Sequence, residues 1–260
     1  MFADLYNSSW MHNSRSKVTT ILNGSNISAL SEYTKRVFLI LGIEIAITLL
    51  IIIILSVLET VQNTQNPWTD LPWILICFAF VLGMLIIFDK AITNNYPLSV
   101  GLLIIHSILI GFAIGISIWK VCVYLKIAAI AITLISFICS IFIGGAVKTR
   151  LADHFLFILI NIVIVSIAFV AAGTVFYVLE RQAALVALEV GADIILFLIT
   201  ICFTQFTVGN YPLSVFSPYW TLAALIMYAL FYTNLSNNLY LAESIQKVTQ
   251  NNASLKFYCL

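Results

Sequence analysis

Charge is scarce in this chain: only 9% of its 260 residues are Asp, Glu, Lys or Arg. A soluble domain carries about 25%, so an ordinary aqueous globule is excluded. Disorder and coiled coil go with it, since both need polar residues in abundance. No basic block stands anywhere and the formal net charge is +1, which removes nucleic acid as a partner. The five cysteines are an odd count, and Cys77, Cys139 and Cys202 lie deep inside apolar runs. Cys-x-x-Cys does not occur, so neither a disulfide framework nor a metal site is indicated. No Ser/His/Asp, zinc-ligand or phosphate-loop constellation stands at an interface, so an enzyme is not expected and no cofactor is implied.

What the chain has is long apolar runs, with 62% hydrophobic residues overall. A helix needs about 20 such residues to cross a hydrocarbon core of ~30 Å. Val37 to Leu58, Leu71 to Phe88, Pro97 to Trp119, Ile127 to Val147, Phe155 to Leu179 and Ala183 to Val208 meet that test. Tyr219 to Leu235 is weaker and includes Thr233 and Asn234. The connections are short. An all-α polytopic membrane protein is therefore expected, with six to seven transmembrane helices in one bundle over residues 36–240. A polar segment, 1–35, precedes it and a short tail, 241–260, follows, with the lipid bilayer as its first partner.

Arg15, Lys17, Lys35 and Arg36 precede the first span, whereas the loop after it has no Lys or Arg. That bias places the N-terminus in the cytosol. Lys90, Lys148 and Arg150 then fall on the same side, and Lys120, Lys126 and Arg181 opposite. Returning Lys247 and Lys256 to the cytosol would sharpen the bias, which favours a re-entrant last segment over one that crosses. Asn7, Asn23, Asn26, Asn234 and Asn252 each begin an N-x-S sequon, usable only in a lumen.

Ionisable groups in a bilayer are expensive and are functional candidates by default. Glu44 lies about two turns into the first span; its plain reading is a protonated or hydrogen-bonded carboxyl facing the bundle. Glu189 and Asp193 are four residues apart and share a helix face. Few apolar residues precede them, so a wet headgroup cluster beside Arg181 is the plainer reading and a cation- or proton-sensitive pair the sharper one. His106, alone in the third span, reads as a packing residue. Gly111 with Gly115, and Gly144 with Gly145, read as close helix packing. The hexapeptide Asn-Tyr-Pro-Leu-Ser-Val occurs at Asn95–Val100 and Asn210–Val215, but its flanks do not match, so no internal duplication is inferred.

The order of landmarks resembles the Bax inhibitor-1 family of transmembrane Bax-inhibitor-motif proteins, especially its lifeguard branch. Arg36 to Leu41 with Glu44 and Thr48 is similar to the family's Arg-Lys-Val-Tyr-x-Ile-Leu…Gln…Thr opening. Asn66-Pro67-Trp68, Tyr96-Pro97-Leu98-Ser99, His106-Ser107 and Ala131-Ile132-Thr133 follow in family order. So do Lys148-Thr149-Arg150 with Asp153, Cys202-Phe203-Thr204-Gln205 with Gly209-Asn210, and Tyr219-Trp220…Ala224-Leu225…Tyr228. The likeness runs from about Glu32 to Tyr240.

The resemblance implies an acidic pair in the last two core segments, forming the pH-sensitive latch of a calcium leak. Here the first position is Phe203, and the second is Leu230, or Ala229 if the register slips by one. None of these can hold a cation. The resemblance thus implies a divergent lifeguard-type protein of the endoplasmic reticulum or Golgi membrane. It would modulate apoptosis or intracellular calcium handling through other membrane proteins, without the acidic latch. The alternative is a cation leak channel whose relocated carboxylates are Glu44, Glu189 and Asp193, since hard cations take oxygen ligands. A G-protein-coupled receptor would carry an acidic-Arg-aromatic triplet after the third span, where Ile118-Trp119-Lys120-Val121 stands instead.

Overall fold

The computed structural model describes residues 25–62, 70–88, 95–119, 121–146, 155–178, 182–208 and 220–251. Every regular element among them is a helix: α1 (Ser25–Gln62), α2 (Leu71–Phe88), α3 (Tyr96–Ser117), α4 (Val123–Ala146), α5 (Phe155–Val178), α6 (Gln182–Val208) and α7 (Trp220–Asn251). Five stretches are long and apolar enough to cross a membrane: Tyr33–Glu59, Leu71–Phe88, Pro97–Ser117, Val123–Ala146 and Ala184–Gln205. The chain is an all-α, multi-pass membrane bundle. Helices are the economical form there, because each satisfies its own backbone hydrogen bonds where water cannot.

The outer surface is apolar. Leu39, Leu50 and Ile53 on α1, Trp73, Phe78, Phe80 and Phe88 on α2, and Phe142 on α4 are all exposed. In water such a belt would drive aggregation; against lipid it is the matching surface. Shallow furrows on α2, lined by Phe80, Met84 and Phe88 and by Trp73 and Phe78, belong to this face.

The interior is organised around α7, which packs on α1, α2, α3, α4 and α6, while α5 lies against α6. Met227, Tyr228, Phe231, Leu235 and Leu239 of α7 are completely buried. This helix is the least apolar of the seven, and its position explains why. Its polar side chains meet other helices, so they need not be lipid-compatible.

Neighbouring contacts set the helix directions. Tyr228 of α7 meets Thr48 of α1 and the carbonyl of Ser107 in α3, and Gly111 and Gly115 of α3 approach Thr48 and Leu55 in turn. The helices α1, α3 and α7 are therefore parallel. Helix α6 is antiparallel to them, since Asp193 meets Asn237 while Glu189 meets Ser244. The last segment, which the charge bias leaves open between crossing and re-entrant, is not among the five stretches long and apolar enough to cross by themselves. Helix α7 is unbroken over 32 residues, which at ~1.5 Å per residue exceeds the thickness of the hydrocarbon core. It ends beside the α3–α4 turn, where the Cys122 amide donates to Gln246 Oε1 at 2.9 Å. Helical structure also passes both expected domain boundaries, starting at Ser25 and continuing to Asn251.

The paired glycines sort by their neighbours. A Cβ on Gly144 would stand 2.7 Å from the Ile201 carbonyl oxygen and 2.7 Å from Thr204 Cβ, so α4 and α6 touch backbone to backbone there. A Cβ on Gly115 would stand 2.5 Å from Leu55 Cδ1, whereas Gly145 faces open space. The first hexapeptide opens α3: Asn95 is its N-cap residue, Pro97 lies in its first turn, and Ser99 Oγ donates to the Asn95 carbonyl at 2.9 Å. The second copy lies outside the described residues. Cys77, Cys139 and Cys202 are free thiols, but Cys122 is disulfide-bonded, which corrects the reading that no disulfide is indicated.

Candidate functional site

Helix α7 carries two polar stations on different faces, separated by its apolar core residues. The first is central and faces α1 and α3. Thr48 Oγ1 lies 2.9 Å from the Glu44 backbone carbonyl, which accepts its proton, and 2.5 Å from Tyr228 Oη. The Ser107 carbonyl stands just beyond, at 3.4 Å from Thr48 Oγ1 and 3.5 Å from Tyr228 Oη. The His106 ring meets Tyr228 edge-on, centroids 5.7 Å apart, and Tyr232 at 6.4 Å. Glu44 is fully buried, and neither of its carboxylate oxygens has a hydrogen-bond partner. His106 Nδ1, on a side chain buried among these aromatics, likewise has none.

Desolvating an ion costs several kcal/mol (order of magnitude) unless a counter-charge is at hand. Among the described residues no cationic group pairs with Glu44. Even uncharged, a buried, unpartnered polar group costs about 1–3 kcal/mol.

The second station is where α6 meets the far half of α7. Asp193 Oδ1 accepts from Asn237 Nδ2 at 2.7 Å and from Asn238 Nδ2 at 3.4 Å. Asn237 Nδ2 also donates to the Glu189 carbonyl at 2.8 Å, and Ser244 Oγ to Glu189 Oε1 at 3.2 Å. Asn238 Nδ2 reaches Asn234 Oδ1 at 2.9 Å. Glu189 and Asp193 are half-buried, and they form an interhelical clasp. Arg181, which the headgroup reading sets beside them, lies outside the described residues. Asn234 is 1% exposed, which closes its sequon to glycosylation, while Asn7, Asn23 and Asn252 are outside the described residues.

The three carboxylates do not share one site. Asn237, which holds Asp193, is nine residues beyond Tyr228, an axial rise of about 14 Å. Glu44 is one turn, about 6 Å, to the other side of Thr48. The two stations are therefore roughly 20 Å apart along the bundle, and α1 and α6 are not principal neighbours. Among the described residues no group of three His, Cys, Asp or Glu side chains could hold a metal ion.

Phe203 of α6 and Leu230 of α7 are both partly buried and packed against the main apolar core, which includes Phe137 and Phe231. Ala229 contributes a carbonyl to Thr233 Oγ1. Neither register of the second latch position brings an ionisable group into this core.

One ion pair joins helices at the end opposite the start of α1: Lys126 of α4 donates to Glu59 of α1. Lys126 is only 2% exposed, so its charge is tied to that partner. Sequence reasoning missed the partners Asn237, Asn238 and Ser244. Their signal was present in the spacing of Asn234, Asn237 and Asn238, which puts three amides on one face. In comparisons with known proteins, no family model, no curated protein and no solved structure matches the chain.

Proposed function

We propose that the chain is a non-conducting, divergent lifeguard-type membrane protein that modulates cell death or intracellular calcium handling through other membrane proteins. The observation that carries this reading is that Phe203 and Leu230, partly buried, pack against the apolar core. An acidic latch works by gaining and losing charge, and a phenyl ring and an isobutyl group do neither. The colinear motif order from Glu32 to Tyr240 supports the family reading. The protein acts without a cofactor and without catalysing a reaction.

Its membrane is that of the endoplasmic reticulum or Golgi, with the N-terminus cytosolic. Lys35 and Arg36 at the start of α1 support that orientation. Disulfide-bonded Cys122 at the opposite end supports it independently, because disulfides persist on the oxidising side of such membranes. With α7 crossing, the C-terminus belongs to the lumenal side. A relocated-carboxylate channel would need Glu44 beside Asp193, which the separation of about 20 Å along the bundle disfavours.

The reading is tested by expressing the protein in cells and measuring calcium release from internal stores and sensitivity to a death stimulus. Pure protein in liposomes is followed in parallel. Altered cellular responses with calcium-tight liposomes are expected. Unchanged cells, or leaking liposomes, would refute it.

A further inference from the structure

The residue the proposed function leaves unused is Glu44. It is fully buried with both carboxylate oxygens unpartnered, in a bundle that elsewhere partners Asp193 twice over and ties Lys126 to Glu59. We propose that Glu44 is an occluded proton-binding site at the centre of the bundle, enclosed by α1, α3 and α7.

The chemistry around it selects the ligand. A metal cation would need several free oxygen donors, yet the hydroxyls of Thr48 and Tyr228 are committed to each other and to backbone carbonyls. Among the described residues no second carboxylate stands at this level. A single proton neutralises the one charge the site can bear and needs no further ligand.

The groups facing it are few. From α3 comes His106, 4% exposed with Nδ1 unpartnered. From α7 come Tyr228, bonded to Thr48 one turn along from Glu44, and Tyr232 beside it. On α1 itself the nearest charges are exposed Arg36, two turns away, and Glu59, which is held by Lys126. From α2, Gly83 lies against the His106 ring and brings no charge. Among the described residues His106 meets this cluster through the ring of Tyr228.

Losing the proton would leave a negative charge with no cation facing it. The packed seam of α1 with α7 would then have to open to water to solvate it. Proton release and loosening of this seam are therefore one event. The site does not depend on the lifeguard reading and would stand if that reading failed.

Infrared spectroscopy of the whole protein in lipid reads the site directly. At neutral pH the wild-type protein should show a protonated-carboxyl carbonyl band that is lost in Glu44→Gln and kept in Glu189→Gln. On alkalinisation the band should disappear together with faster hydrogen exchange in the middle of α1 and α7, and Glu44→Gln should show neither change. A wild-type protein with no such band at neutral pH, or a band that survives Glu44→Gln, would overturn the proposal. Should Glu44→Gln not assemble, carbon-13 labelling of glutamate in Glu189→Gln identifies the carrier. The band must shift with labelled glutamate; a band that shifts only with labelled aspartate overturns the assignment.

Discussion

Substituting alanine at Gly144 and, separately, at Gly145 measures what the α4–α6 contact contributes. The two glycines are adjacent in one helix, so alanine improves intrinsic helix propensity at both by about 1 kcal/mol. They differ only in what the new methyl meets. At Gly145 it meets nothing within 4 Å. At Gly144 it meets the Ile201 carbonyl oxygen and Thr204 Cβ, each at 2.7 Å, where ordinary contact begins at 3.4 Å. A main-chain carbonyl in mid-helix cannot rotate aside, so α4 and α6 must separate by several tenths of an ångström. Overpacking of this kind costs about 1–3 kcal/mol. Because the propensity gain is common to both variants, Gly144→Ala should be less stable than Gly145→Ala by that amount, about 5- to 150-fold in the unfolding equilibrium. Reversible unfolding in mixed micelles, followed by far-ultraviolet circular dichroism, provides the comparison. Equal stabilities would mean that the two helices do not approach as closely as described.

Three further outcomes are expected. Glu44→Leu removes a buried, unpartnered polar group and should stabilise the bundle by about 1–3 kcal/mol in the same unfolding assay; a destabilised protein would mean that Glu44 has a partner. Asn237→Ala deletes bonds to both the Asp193 carboxylate and the Glu189 carbonyl and should cost about 1.5–3 kcal/mol. Combined with Asp193→Ala in a double-mutant cycle, it should couple by more than about 0.5 kcal/mol, and simple additivity would deny the contact. Glu59→Gln strands the buried Lys126 charge and should cost about 3 kcal/mol, most of it recovered when Lys126→Met is added; an unrecovered loss would point to some other role for Glu59.

The hydrophobic runs made the bundle legible, because lipid asks only for apolar length and their bounds agree with α2 to within no shift at either end. The last helix was harder to read. Its polar residues lower the apparent hydropathy for the same reason that it lies at the centre, and a scale built on lipid exposure cannot tell an interior helix from a weak span. The charge bias pulled the other way as well, since Lys247 would suit a cytosolic tail; in the structure it pairs with Glu243 one turn back at 2.7 Å. Glu189 and Asp193 looked wet because they stand early in their helix. What placed them against α7 was two asparagines, Asn237 and Asn238, some 44 to 48 residues downstream, a tertiary fact that spacing within α6 could not contain. Glu44 was visible as the lone charge of the first span, but its lack of any partner could be known only once α3 and α7 were set beside it.

The proposed function rests on Phe203 and Leu230, packed against the apolar core, standing where the resemblance implies an acidic latch. Calcium efflux from liposomes containing the purified protein, followed from acidic to alkaline pH, tests it most directly, with the Phe203→Asp, Leu230→Asp double variant alongside. The wild-type protein should show no pH-gated calcium efflux, whatever the double variant does. A pH-gated efflux from the wild-type protein would contradict the account, since Phe203 and Leu230 leave that latch nothing to titrate.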